Sequence, residues 1–200
     1  MMSNLSNNQV YYPVFQDWKV NSANMPGRCV MVLFRMAVWS RSRPLLTILF
    51  FWYLILYKVF IEWLSGIQIS TGASIAPGLR LEGCRGTSID SGTVIGANCT
   101  LRQLTTIGRK KLVDNSYSNS PRIGDNVDIG VNAIIIGQVE IGNNVVIGAG
   151  AVVTKSVSDH SVMAGNPAKL LKKVYDFPGS EERENKIEAL DETVTLLDRV

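Results

Sequence analysis

The chain has 200 residues, 46% of them hydrophobic, and its 20 Lys and Arg against 17 Asp and Glu leave a formal net charge of +3. That composition allows one sizeable core with attachments and argues against a nucleic-acid binder, which needs a clustered basic face. Three cysteines (Cys29, Cys84, Cys99) without metal-ligand spacing argue against a disulfide framework or a zinc site and make a reducing cytosol the default compartment.

The charge is uneven, with +4 over residues 1–65, +3 over 66–178 and −4 over 179–200. Such an excess suits a small polyanionic ligand or an anionic membrane surface. The opening MMSNLSNNQV is polar and uncharged and does not read as a secretory signal.

Residues 1–65 read as an N-terminal helical segment. CVMVLFRMAVW (29–39) is expected to be a helix, ended by the Ser/Arg-rich 40–43 and Pro44. The run LLTILFFWYLILY (45–57) is the most apolar stretch of the chain. Its thirteen residues span about 20 Å as a helix, short of the roughly 30 Å hydrocarbon core. Extension to Leu64 brings in Lys58 and Glu62, side by side at i, i+4. Arg41 and Arg43 precede the run, and Trp52, Tyr53, Tyr57 and Trp63 suit a headgroup boundary. Three readings stay open here: a buried helix, peripheral membrane contact through 45–64, and a span.

From Ile69 a period of six takes over. Aliphatic residues fall at Ile69, Ile75 and Leu81, then Ile89, Ile95, Leu101 and Ile107, then Ile123, Ile129, Ile135, Ile141, Ile147 and Val153. Gly commonly follows, and the fourth residue on is small or β-branched, as at Ala73, Thr93, Cys99, Thr105, Val127, Ala133, Val139, Val145 and Ala151. A six-residue period belongs neither to a free helix nor to a simple hairpin array. It is the hexapeptide pattern of a parallel β-helix, one face per hexad and three hexads per turn. Gly and Asn then turn the corners, where a positive φ is often needed.

Two interruptions break the register: a surplus of two residues in LEGCRGTSID (81–90) and a longer excursion, GRKKLVDNSYSNSPR, over 108–122. An insertion in a solenoid cannot enter the packed interior, so both loop out where binding groups are commonly carried. The coil stack also needs caps, and the N-terminal helices and AGNPAKLLKKV (164–174) are placed to supply them.

The hexads, the looped-out insertion and the closing AGNPAKLLKK together resemble the hexapeptide-repeat acyltransferases, which fold as a left-handed β-helix. Within that family the resemblance is to serine acetyltransferases and to the acetyltransferases of colanic-acid and other exopolysaccharide pathways. It covers roughly Gly66 to Lys173, and DWKVN with GRCVMVLFRMAVW extends it weakly toward the polysaccharide branch. The resemblance implies a mainly β fold in three parts: a helical segment over 1–65, an acyltransferase β-helix over 66–174 and a C-terminal helix over 175–200. It also implies a homotrimer, acetyl-CoA lying in a groove between adjacent copies, and acetyl transfer to an acceptor hydroxyl with a histidine as general base.

The histidines that the resemblance calls for are absent. The family's catalytic histidine motif falls on Leu81, Glu82 and Gly83, its second functional histidine on Ser120 and a third on Gln103. The sole histidine, His160, falls on the edge of the final coil. Three accounts remain: Glu82 as the base, strengthened by partial burial; Cys84, with Arg85 beside it, or a substrate group; or catalysis that is positional or lost. For the donor, the resemblance points to Gly108 at the loop start, Val131 and Ala149 on successive coils, and Ala164 and Gly165 in the closing motif. Lys169, Lys172 and Lys173 would face the nucleotide phosphates. Arg109, Lys110, Lys111 and Arg122 bracket the loop and suit CoA or an anionic sugar, and Tyr117 suits a saccharide.

After Pro178-Gly179, Ser180 is a plausible N-cap, and Ile187, Leu190, Val194 and Leu197 take a and d spacing. The expectation is a cytoplasmic O-acetyltransferase, at the membrane face if 45–64 touches lipid, with a sugar of a cell-surface polysaccharide as acceptor. A serine O-acetyltransferase and a non-catalytic hexapeptide scaffold are the alternatives.

Overall fold

The computed structural model describes residues 14–41, Trp52, 66–83 and 85–173. Most of the apolar run 45–57, Cys84 and the expected C-terminal helix over 175–200 lie outside the described residues. Within them, no helix is long and apolar enough to cross a membrane.

The hexads form short parallel strands in three sheets. The first holds β1 (Gln68–Ile69), β4 (Ser88–Ile89), β7 (Thr106–Gly108), β10 (Ile134–Ile136) and β13 (Val152–Val153). The second holds β2 (Ser74–Ile75), β5 (Val94–Ile95), β8 (Arg122–Ile123) and β11 (Glu140–Ile141). The third holds β3 (Arg80–Glu82), β6 (Thr100–Arg102), β9 (Asp128–Ile129), β12 (Val146–Ile147), β14 (Ser161–Ala164) and β15 (Lys169–Lys173). The chain visits the three sheets in turn. Corner one joins the first sheet to the second, corner two the second to the third, and corner three the third to the first sheet of the next coil.

Each sheet stacks its aliphatic residues in register. Ile69, Ile89, Ile107, Ile135 and Val153 pair along the first sheet. Ile75, Ile95, Ile123 and Ile141 pair along the second, and Leu81, Leu101, Ile129, Ile147 and Met163 along the third. All but Met163 are buried, and the small residues four places on fill the remaining interior. A buried aliphatic contributes about 1.5–3 kcal/mol relative to an exposed one, so every coil carries its own share of the core. The Cys99 thiol lies in that interior, and burial pushes its pKa up to about 11.

The corners need backbone in the left-handed region. At corner two this falls on Gly78, Asn98, Asn126, Asn144 and His160, and at corner three on Gly66, Gly86, Leu104, Asn132 and Gly150. Gly has no Cβ to clash there and Asn tolerates the region. Leu104, at φ 62°, is a branched side chain where the conformation costs roughly 1–2 kcal/mol.

The two ends are closed differently. α1 (Met25–Arg41) begins with Asn24 as its N-cap, whose Oδ1 accepts from Gly27 N at 3.2 Å. The helix buries Val30, Met31, Phe34 and Ala37 against the first coil. Side chains then serve the open edge of that coil. Asp17 accepts from Gly78 N and Leu79 N, and Asn21 accepts from Leu81 N while donating to Leu79 O. Arg35 donates to Ile75 O and Ala76 O and pairs with the buried Asp17 at 2.9 Å. An unpaired sheet edge would otherwise leave these groups unsatisfied. At the far end β15 folds back antiparallel on β14. The inserted loop proper is 109–121, because Gly108 still pairs with Ile136 and Arg122 with Glu140.

Candidate active site

The surplus of two residues leaves the stack at corner three. Leu104 N donates to Arg85 O and Asn132 N to Gln103 O, both at 3.0 Å. Arg85 and Gly86 therefore hold the rung positions of Gln103 and Leu104, and the chain between Glu82 and Arg85 is the surplus.

Glu82 ends β3 and points outward. Its Oε2 lies 3.0 Å from Arg102 Nε and its Oε1 3.9 Å from Arg80 Nη1. Arg102 also pairs with Asp128, and that bond, with Glu82 as the lesser partner, holds the guanidinium pKa above its ordinary value. Partial burial was the expectation for Glu82; within one chain its side chain is 42% exposed and faces two guanidiniums. Gly83 sits at φ 68°, and a Cβ there would stand 2.9 Å from Gln103 Oε1. Positions 83 and 103, both matched to histidines by the resemblance, are thus neighbours on successive coils.

The candidate donor residues fall along the same corner. Val131 lies one rung from Gln103, and Gly150 N donates to Val131 O at 2.8 Å. Ala149 is exposed, and the backbone runs so close that a Cβ on Gly130 would stand 2.5 Å from Ala149 N. Ala164 follows, 3.0 Å from where a Cβ on Gly148 would be, and then Gly165, whose carbonyl accepts from Val152 N. β15 sets the exposed Lys169 opposite Ala164, and the exposed Lys172 opposite Val162. The structure therefore gathers Val131, Ala149, Ala164, Gly165 and Lys169 on one edge that leads to Glu82, whereas Lys172 stands nearer the corner-two end of the third sheet. Gly108 does not join them, since it ends β7 at the opposite edge of the first sheet.

Corner one carries a second cluster. Asp90 accepts from Arg109 Nε at 2.7 Å and Nη2 at 3.3 Å, and the Arg109 guanidinium lies 5.3 Å over the Tyr117 ring. Hydrogen bonding from Arg109 holds the Asp90 carboxyl below its ordinary value. The loop closes as a small hairpin, with Lys111 bridged to Tyr117. Ser120 Oγ donates to Ser91 O at 2.7 Å and lines a cavity of about 360 Å³ with Gly92, Asn119, Arg122, Gln138, Val139 and Glu140. A larger cavity of about 610 Å³ along the second sheet shares Arg122 with the smaller one and is lined by no other candidate residue.

Sequence reasoning singled out Arg109 and Tyr117 but missed Asp90, which joins them. Its signal was present: Asp90 puts a carboxylate directly after Ile89, where Gly commonly follows the aliphatic. His160, at φ 57° with its N–H donated to Asn143 O, is the last rung of the corner-two column.

A family model for bacterial transferase hexapeptide (six repeats) matches residues 120–155. WcaB of Escherichia coli K12, provisionally assigned as a colanic acid biosynthesis acetyltransferase, is 31% identical over 161 residues, which span 78% of this chain and 98% of that protein. Chloroplastic serine acetyltransferase 1 of Arabidopsis thaliana is 41% identical over 105 residues, 52% of this chain and 33% of that protein. Soybean serine acetyltransferase superposes with a TM-score of 0.62 at 27% identity, covering 79% of this chain and 67% of that one. The Brucella abortus enzyme, with a TM-score of 0.65 at 24% identity over 80% and 68% of the two chains, shares the fold.

Proposed function

The chain belongs to the hexapeptide-repeat acyltransferases, and from that premise we propose that it transfers an acetyl group from acetyl-CoA to a sugar hydroxyl of a cell-surface polysaccharide. The observation that carries the donor is the corner-three column. Its exposed backbone, from Gly165 and Ala164 through Ala149 to Val131, gives a pantetheine arm a track without large side chains. Lys169 at its base, with Lys172 farther along β15, offers point charges to the nucleotide phosphates. The saccharide acceptor is supported by WcaB, whose length this chain matches almost entirely, whereas it spans a third of the Arabidopsis serine enzyme.

In the reaction the acceptor oxygen attacks the thioester carbonyl and its proton passes to a base. The carbon–sulfur bond breaks, and CoA leaves as the thiolate, which is reprotonated to the thiol. Glu82 is the base in this reading, with Arg102 orienting its carboxylate. Cys84, two places after Glu82 in the sequence, is the alternative group. A homotrimer belongs to the proposal, because Gly108 and Ser120 lie across the first sheet from Glu82 and join it only if a second copy brings its corner one alongside. The default compartment is the cytoplasm, from cysteine usage.

The test follows release of CoA thiol from acetyl-CoA with oligosaccharide acceptors, with free serine in parallel. The expected result is sugar-dependent release that falls by about 100-fold or more in Glu82→Gln. Release with serine alone would transfer the protein to the serine branch. Acetyl-CoA binding without release for any acceptor would make it a scaffold.

A further inference from the structure

The left-handed column at corner three reads Gly66, Gly86, Leu104, Asn132 and Gly150. In this region a Cβ crowds the backbone, so Gly is free of strain and Asn is tolerated. Leucine has neither excuse. Nor is Leu104 held there by burial, because it is 49% exposed. A strained conformation kept without a packing return points to a demand from outside local folding.

Its position says what that demand is. A Cβ on Gly86 would stand 2.6 Å from Leu104 Cδ2, so the isobutyl group lies over the bare backbone of Gly86, the rung just past the surplus turn. Gln103 precedes it, with its amide against Gly83, and Glu82 ends β3 on the preceding coil, paired with Arg102. Leu104 is therefore the apolar element on the rung between the small-residue track and the reacting corner. From Ala164–Gly165 to that rung there are three steps, by way of Ala149 and Val131. At about 4.8 Å per strand spacing the track is about 14 Å long, comparable to an extended pantetheine arm. An arm whose phosphates meet Lys169, opposite Ala164, brings its thioester to Leu104. An isobutyl group offers no hydrogen bond to the thioester, so what it contacts is the acyl chain.

We propose that Leu104 is the specificity determinant for the donor's acyl group, an inference that rests on the donor track proposed above. It gives the acetyl methyl an apolar contact and occupies the space that a longer chain needs.

The test uses the full chain with Leu104→Gly and Leu104→Asn, the residue types at the other rungs. Calorimetry gives the affinities for CoA, acetyl-CoA and butyryl-CoA, and thermal unfolding gives Tm. The wild type is expected to favour acetyl-CoA. Both variants should lower the acetyl-to-butyryl preference by about tenfold or more, the scale on which pockets discriminate methylenes. They should leave CoA affinity unchanged and not lower Tm. An unchanged preference with CoA binding intact overturns the proposal, whether the variants lose stability or instead raise the KM of the acceptor. Wild-type protein that binds none of the three ligands removes the donor track itself, and this inference with it.

Discussion

Corners two and three are built from the same repeat, yet they spend their side chains in opposite ways. At corner two each coil reaches back to the previous one. Asp125 Oδ1 accepts from Ala97 N, Asn143 Oδ1 from Asp125 N and Asp159 Oδ1 from Asn143 N. Gly96, Gly124 and Gly142 leave room for these carboxylates and amides, since a Cβ at any of them would run into the side chain from the next coil. At corner three the comparable places hold Val131, Ala149 and Gly165, which reach for nothing, together with Glu82, Gln103 and Leu104, which face outward. A corner whose polar groups answer one another is finished; a corner that presents small residues and bare backbone leaves space for a ligand.

Three substitutions sharpen or break this contrast. The largest effect is expected at corner three, where Ala149→Phe should block the donor track. Acetyl-CoA affinity should fall by about 100-fold, or about 2.7 kcal/mol, with Tm unchanged; calorimetry and thermal unfolding read the two. Equal binding in the variant would mean that the donor lies elsewhere. At corner two Gly142→Ala should do the reverse. Its Cβ would stand 2.7 Å from Asp159 N, an overpacking expected to cost about 1–3 kcal/mol in urea unfolding, while donor binding stays intact. The smallest effect belongs to corner one. Asp90 has a folded pKa below its ordinary value because Arg109 hydrogen-bonds it. Its contribution is therefore fully present above the ordinary carboxylate range, near about 4, and is lost as pH falls through the lowered value. The Tyr117 ring resonances should stay constant through neutral pH and shift only in acid. Asp90→Asn should shift them at every pH, and no change in that variant would mean that the Arg109–Tyr117 stack stands without Asp90.

The interior was legible because the period of six is enforced at every rung: the phase Ile123, Ile129, Ile135, Ile141, Ile147 predicts which side chains are buried, and they are. The corners were half legible. Asn98, Asn126, Asn132 and Asn144 all stand three places after an aliphatic, and the same count from Leu101 lands on Leu104, an exception visible in the letters alone. What could not be read was anything that depends on distant partners. Asp17 meets Gly78 and Arg35, and Asn21 meets Leu79 and Leu81, through separations that no local pattern encodes. Glu82 was found by position, but its two arginines come from its own strand and from the next coil. Gly108 shows the converse limit, for a motif position cannot say which edge of a sheet its neighbours occupy.

The closure of the two ends sets a property that the repeat itself does not have. A parallel coil is a template for another of its kind, so hexads alone define a pitch and no length. At one end Asp17, Asn21 and Arg35 occupy the donors and acceptors that a preceding coil would use, and at the other β15 runs against the grain and takes the edge of β14 where the next coil would pair. The molecule is finite because a few side chains and one reversed strand act as full stops in an otherwise open-ended sentence.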